Sequence, residues 1–450
     1  MKVLSAYHRP CIVGIGGVST SALAEMLKAR GFDVFGTDWN ESPRTHRLES
    51  LGIPVHIGPN NAHSIDGADI VIRTAAAHDD APEIVAARAQ GIPVMERAAA
   101  WADVMLEYKQ VLCLSGCHGK SSTTGMAAAI GIAAGLDPTV SIGADLSAIG
   151  GNLHIGSHEL FVAEADEYYN SFLNFPPTVA VVNNIEIDHL DFFSGLDAIM
   201  KSFNRFVHLV PESGTVVVNA DNENACRATA DVTCRVLRFG LENPADVTAR
   251  DLRYDHGCGV FTLVFDGEAL GEVRLQIPGS HNVYNALASA AGCLACGIAP
   301  EAVVSGLNGF AGVARRFERR GTFNGAVLVD DYAHHPTELR TTLDTARECG
   351  YKRVICAFQP HTYSRTKTLF ADFVEALMLA DLPVLTEIFA AREQNTEHMS
   401  SKTLADAVNG VFCPTLADTA AYLRTIAREG DLIIMAGAGS ILEVTEMLLS

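Results

Sequence analysis

The chain has 450 residues, 48% of them apolar and 19% charged, and carries a net charge of −20. That length and composition describe a folded chain of roughly two to four domains and exclude a disordered one. The acidic balance excludes nonspecific binding to nucleic acid or to anionic membranes, and the longest apolar stretch, AAAIGIAAGL at 127–136, is too short for a membrane span.

Strand-like and helix-like runs alternate, which predicts an α/β fold of three consecutive blocks with mostly parallel sheets. The first block opens with CIVGIGG as a strand, STSALAEMLKARG as a helix and DVFGTD as a strand. It continues with DIVIRTAAA, APEIVAARAQG and IPVME. The turn GIGGVSTSALAEML (14–27) places Gly14, Gly16 and Gly17 before a helix, where backbone N–H groups and the helix dipole favour a phosphate. Asp38 ends the next strand, where a dinucleotide fold puts its ribose-binding acid. Ser19, however, takes the place of the third glycine of G-x-G-x-x-G. A diphosphate turn, a nicotinamide site and a tight turn holding nothing stay open on these residues alone.

The pattern restarts at QVLCLSG, a strand that runs into LSGCHGKSSTTGM (114–126) and a helix. The P-loop pattern G-x-x-x-x-G-K-[ST] asks for a glycine at position 114, which is Leu114. The parts that bind phosphate remain. Gly116 and Gly119 allow close backbone approach, Lys120 reaches the β- and γ-phosphates, and the Ser121 hydroxyl can ligate Mg²⁺. Cys117, His118 and Ser122 complete the predicted ATP loop. Cys117 and His118 are not read as a nucleophile pair, because neighbours in a tight loop point apart. VAEADEYYNSF (162–172) and NNIEIDHLD (183–191) end apolar strands in acids and a histidine. Glu164 and His189 can converge on the metal that Ser121 touches, although solvated strand ends are the plainer reading of either stretch alone. DVTARDLRY, GVFTLVF and GEVRLQI, within 246–277, alternate as antiparallel strands. PGSHNVYNALASAA (278–291) carries His281, Asn282 and Asn285 into a helix, where the asparagines can bond an adenine edge or cap the helix.

The third block begins near AGVARRFERRG (311–321). GAVLVDDYAHHPTE, RVICAFQP, LPVLTEIF and DLIIMAGAGS are strands ending in polar clusters. VDDYAHHPTE and FQPHTYSRT gather acids, three histidines and Arg365, whose guanidinium suits a carboxylate. The eleven cysteines are scattered without zinc spacing, and MKVLSAYHRP has no signal-peptide core, so a cytoplasmic location is expected.

In combination, GIGG, GCHGKSSTT, EADEYYNSFL, NNIEIDHLD, PGSHNVYNA, RRFE, DDYAHHPTE, FQPHTYSRT, AREQNT and GAGS resemble the Mur ligases over essentially the whole chain. Ligase loops of this kind lack the early glycine, which accounts for Leu114. Cys117 and Ser121 stand where the family usually has Thr, and GGVSTSAL departs from its usual first loop. No carbamylated lysine is assigned to Lys201. The resemblance implies a Rossmann-like N-terminal domain (1–106) binding the UDP substrate, a central P-loop ATPase-like domain (107–312) with a small antiparallel sheet, and a Rossmann-like C-terminal domain (313–450) binding the amino acid. It further implies ATP-dependent ligation of L-alanine to the lactyl carboxylate of UDP-N-acetylmuramate, by a monomer or homodimer using ATP and Mg²⁺. Gly14, Gly16, Gly17 and Asp38 would contact the UDP substrate. Gly116 to Ser122, His281, Asn282, Asn285, Arg316 and Asp331 would contact ATP. Tyr332, His334, His361 and Arg365 would hold alanine or a substrate carboxylate. Ser121, Glu164 and His189 would hold the metal, and Lys120, Glu164, His189, His335 and Arg365 would be catalytic. The general base stays open among His189, His335 and His361. The rivals are a ligase that recycles a ready-made peptide and a nicotinamide-dependent oxidoreductase.

Overall fold

The computed structural model describes residues 3–74, 77–189, 192–391, 393–396 and 398–450. Ala75 and Ala76 of DIVIRTAAA, Leu190 and Asp191 of NNIEIDHLD, and Arg392 of AREQNT lie outside the described residues.

The first sheet contains β1 (Pro10–Val13), β2 (Phe35–Asp38), β3 (Val55–Ile57), β4 (Ile70–Arg73) and β5 (Val94–Glu96). It is parallel throughout, in the order β3-β2-β1-β4-β5. Every residue of β1 is buried, as a strand covered on both faces must be, and the run is accordingly apolar. Chain order reverses on either side of β1, so the glycine turn that follows it opens at the switch point where such sheets bind ligands.

The second sheet contains β6 (Gln110–Ser115), β7 (Thr139–Leu146), β8 (Gly151–His154), β9 (Leu160–Glu164), β10 (Val179–Val182), β11 (Thr215–Asn219), β12 (Arg235–Phe239), β13 (Val247–Asp255), β14 (Cys258–Phe265) and β15 (Glu268–Pro278). Its order is β15-β14-β13-β12-β11-β10-β6-β9-β7-β8. β6 lies between β10 and β9, parallel to both, so the phosphate loop and two acid-bearing strand ends emerge side by side. The alternating strands expected over 246–277 are β13 to β15. They lengthen the central sheet, because β13 pairs in parallel with β12 through Phe239 and Val247. This pairing satisfies backbone groups that an open β12 edge would leave exposed.

The third sheet contains β16 (Glu318–Phe323), β17 (Ala326–Asp331), β18 (Arg353–Phe358), β19 (Leu382–Thr386), β20 (Val411–Cys413) and β21 (Asp431–Ala436), in the order β16-β17-β21-β18-β19-β20. Only the edge strand β16 runs antiparallel to its neighbour.

The chain forms two compact units. One holds residues 1–250, 262–271 and 284–309, and the other holds 251–261, 272–283 and 310–450. In the first unit Phe172 stacks on Phe206 with ring centroids 4.4 Å apart and packs edge-on against Phe203, all three fully buried. Burying each ring contributes roughly 1.5–3 kcal/mol. Phe172 thereby anchors the short helical segment Tyr168–Asn174, which directly follows the acids of β9.

Candidate active site

The phosphate loop begins where β6 ends. Gly116 and Gly119 have φ of +144° and +80°, conformations that side chains rarely adopt. A Cβ on Gly116 would lie 2.9 Å from the Asn183 Cβ, and one on Gly119 would collide with the Asn285 Oδ1. Gly119 is the N-cap of the helix Lys120–Ala133, and no side chain caps that helix. Its first-turn N–H groups are therefore available to an anion, with the helix dipole behind them.

The front of the loop is tied to the segment after β10. The Cys117 N–H donates to the Asn184 carbonyl (3.2 Å) and the His118 N–H to the Asn184 Oδ1 (2.8 Å), while the Asn184 amide returns a bond to the His118 carbonyl (3.1 Å). The Cys117 Sγ lies 3.3 Å from both the Glu186 carbonyl and the Glu186 N–H. The thiol therefore faces a neighbouring backbone. Burial pushes it up to about 12, with Glu167 adding to the rise. His118 Nε2 sits 3.6 Å from Glu186, whose carboxyl that contact holds below the usual range. Farther along, Thr123 Oγ1 accepts from Asn183 (2.7 Å) and meets Asn285 Oδ1 (3.2 Å). Asn285 thus backs the phosphate loop, a role its helix spacing did not reveal.

Lys120 donates to the Gly116 carbonyl (2.8 Å), the Cys117 carbonyl (3.3 Å) and both oxygens of Glu167 (3.0 and 2.8 Å). Burial alone would lower the lysine pKa, but Glu167 and Asp166 outweigh it and raise the value. Glu167 is fully buried. Burial works to raise its pKa, yet Lys120 and His189 hold it below the usual range. His189 Nε2 reaches Glu167 at 3.5 Å, and its ring stacks on Tyr168 at 4.4 Å. Ligand atoms of Asp166, Glu167 and His189 all fall within 4.8 Å of one another. On the other side of the loop, Ser121 donates to Glu164 Oε1 (3.1 Å), and Glu164 Oε2 accepts the Gly143 N–H (2.7 Å). Burial raises the pKa of Glu164 and of Asp166. Of the three predicted metal residues, then, Ser121 and Glu164 meet directly, and His189 belongs to the adjoining acid cluster. The donors are a hydroxyl, carboxylates and one imidazole, a set that fits a hard cation such as Mg²⁺.

In the first sheet, Gly14 has φ +75° and Asp38 Oδ2 accepts the Gly16 N–H at 2.9 Å. Asp38 holds the turn in shape. Thr20 Oγ1 bonds the Gly14 carbonyl (2.6 Å), and the helix Val18–Ala29 starts after Gly17 with no side-chain cap. A cavity of about 280 Å³ joins this turn to the central sheet, with Gly17, Ser19, Thr20, Arg97, Glu164 and Asp166 in its wall.

The second unit carries its own cluster. Asp331, at the end of β17, accepts the N–H groups of Phe317 (2.8 Å) and Ala333 (2.7 Å), and burial raises its pKa. Arg315 and Arg316 both lie over the Tyr332 ring, and Arg316 reaches Glu338 at 3.6 Å. His361 contacts Arg365 at 3.3 Å and stacks on Phe389. Burial, then Arg365 and His334, push His361 down to about 4. Burial also lowers His334, against the pull of Glu338. His335 is the N-cap of the helix Pro336–Glu348 and accepts the Thr337 N–H. Burial pushes His281 down to about 4, and Asn282 donates to the Pro278 carbonyl at 2.7 Å.

Sequence reasoning did not single out Asp166, Glu167, Asn183, Asn184, Glu186, Arg97 or Arg315. For Asp166 and Glu167 the signal was present in EADE, since both lie within three residues of Glu164. The others needed a fold to bring them to the loops.

Three family models tile the chain: "Mur ligase family, catalytic domain" over residues 11–109, "Mur ligase middle domain" over 114–293, and "Mur ligase, glutamate ligase domain" over 315–439. A protein of Acetivibrio thermocellus named UDP-N-acetylmuramate–L-alanine ligase is 44% identical over 97% of this chain and 94% of its own length. One of the same name from Caldanaerobacter subterraneus is 41% identical over 99% and 98%. Among solved structures, the UDP-N-acetylmuramate–alanine ligase of Thermotoga maritima is 29% identical, with a TM-score of 0.84 and 98% of each chain covered. A murein peptide ligase of Psychrobacter arcticus is 25% identical, with a TM-score of 0.73 and the same coverage.

Proposed function

The chain belongs to the Mur ligase family, and from that premise we propose that it joins L-alanine to the lactyl carboxylate of UDP-N-acetylmuramate while ATP is cleaved to ADP and phosphate. The setting is peptidoglycan precursor synthesis in the cytoplasm, by a monomer or homodimer. Domains at 1–106, 107–312 and 313–450 would serve the UDP substrate, ATP and the amino acid. One observation carries the chemistry. Glu164, which Ser121 holds, lines the same cavity as the glycine turn Gly17–Thr20. A substrate with a diphosphate at the turn thus presents its other end to the phosphate loop.

The carboxylate oxygen attacks the γ-phosphorus and the bond to ADP breaks, leaving an acyl phosphate. The alanine amine then attacks the acyl carbon, phosphate departs and the nitrogen loses its extra proton. Phosphoryl transfer asks chiefly for positioning and charge neutralisation. The N–H groups of Lys120 to Ser122 supply fixed donors. Lys120 exchanges Glu167 for phosphate oxygens. Mg²⁺ held by Ser121 and Glu164, beside His189, would neutralise the triphosphate. In the second unit Arg365 suits the alanine carboxylate, and the neutral rings of His334 and His361 can accept hydrogen bonds.

The test is phosphate release with ATP, Mg²⁺ and UDP-N-acetylmuramate, offering L-Ala, Gly, L-Ser or the L-alanyl tripeptide in turn. L-Ala is expected to give the highest kcat/KM. Preference for the tripeptide would assign the recycling reaction instead, and silence with every amine would end the ligase reading.

A further inference from the structure

The cavity between the glycine turn and the central sheet has one cation in its wall. Glu164 and Asp166 line it, and among its described lining residues Arg97 is the only Lys or Arg. Arg97 opens the helix Arg97–Met105, immediately after β5. Burial lowers its pKa, and Asp166 and then Glu96 act on it only through space. Glu96 itself is taken by Arg73, at 2.6 Å. Among the described residues no hydrogen bond or close ion pair holds the Arg97 guanidinium. Arg97 is half-buried in the cavity wall, so its charge is partly withdrawn from water and, among the described residues, is left open to an anion that enters the cavity.

The partner is an anion with two oxygens in one plane, because the guanidinium fork matches a carboxylate in bidentate fashion. The diphosphate has its own donors at the uncapped helix start after Gly17. The other anion of the substrate must approach the phosphate loop past Glu164 and Asp166, both of which repel it. We propose that Arg97 receives the lactyl carboxylate of the UDP-sugar substrate and holds it at the mouth of the phosphate loop. This assignment rests on the ligase reading above.

Two ligands isolate the contact: UDP-N-acetylmuramate, and UDP-N-acetylglucosamine, which lacks only the lactyl ether. Calorimetric titration without ATP compares the intact protein with Arg97→Met, Arg97→Gln and Arg97→Lys. Arg97→Met is expected to weaken the first ligand by roughly tenfold or more and to leave the second within about twofold, with Arg97→Lys recovering part of the loss. Equal loss for both ligands would overturn the proposal, since Arg97 would then serve the diphosphate or the shape of the cavity. No loss for either would overturn it as well, as would failure of the intact protein to favour the carboxylate-bearing ligand. If Arg97→Met does not melt cooperatively, Arg97→Gln gives the same reading. Phosphate release by the intact protein with L-Ala is run beside these titrations. Its absence would refute the ligase reading, while the contrast between the two ligands still decides the role of Arg97.

Discussion

At the scale of single residues, Cys117 and His189 show what the fold adds. The sequence placed the Cys117 side chain among the phosphate contacts, where a hydroxyl is usual. Its thiol instead lies between the N–H and carbonyl of Glu186, 6% exposed. A threonine hydroxyl can serve both backbone groups, so Cys117→Thr is expected to leave the KM for ATP unchanged. Cys117→Ala leaves both groups wanting and should cost about 1–3 kcal/mol of stability, read from denaturant unfolding. A several-fold rise in KM for the threonine variant would put the side chain at the phosphates after all. His189 is felt through pH. Burial works against its charge, but Glu167, Asp188 and Asp166 raise its pKa above the ordinary value of about 6.5. The charged ring therefore adds stability below about pH 6.5 and loses it as pH rises through the raised value. Glu167 has the opposite sign, since its lowered pKa gives stability above about 4.3 that is lost in acid. In chelator-treated protein, His189→Gln should flatten the fall in Tm as pH rises above about 6.5. An unchanged slope would mean that the ring takes no part in the acid cluster.

At the scale of elements, the loop and the helix that follows it act as one piece. The strand, the late glycines and Lys-Ser were legible because a P-loop is a local pattern, written in consecutive residues. The tie to residues 183–186 was not, because parallel strands β6 and β10 are adjacent in space and far apart in the chain. The same reason hid the packing of Asn285 on Gly119. Gly119→Ala should be severe, since it meets both a left-handed backbone and the Asn285 side chain. The backbone alone costs roughly 1–2 kcal/mol. Adding Asn285→Ala is expected to recover part of the lost stability and little of the activity. Full additivity of the two changes would show that they do not meet. Asn184→Ala frees the Cys117–His118 corner and should lower ATP affinity with modest effect on Tm, as titration with a nonhydrolysable ATP analogue would register. An affinity equal to that of the intact chain would show that the loop keeps its shape unaided.

At the scale of the molecule, three α/β blocks were legible because runs of buried apolar strand alternate with helices over the whole length. That β13 to β15 continue the central sheet was not, because edge pairing depends on which strand lies nearest and leaves no local mark. In the proposed reaction the UDP and ATP ends of the site would lie on different elements, the glycine turn after β1 and the loop after β6. Lys120→Ala should therefore abolish turnover and leave UDP-N-acetylmuramate affinity within about twofold; loss of both would show that the two ends are one site. The most direct measurement follows oxygen atoms. UDP-N-acetylmuramate carrying ¹⁸O in its lactyl carboxylate is turned over with ATP and L-alanine, and the released phosphate is examined by mass spectrometry. The ligase account predicts one labelled oxygen in the phosphate, handed over through the acyl phosphate. Unlabelled phosphate formed together with product would contradict it.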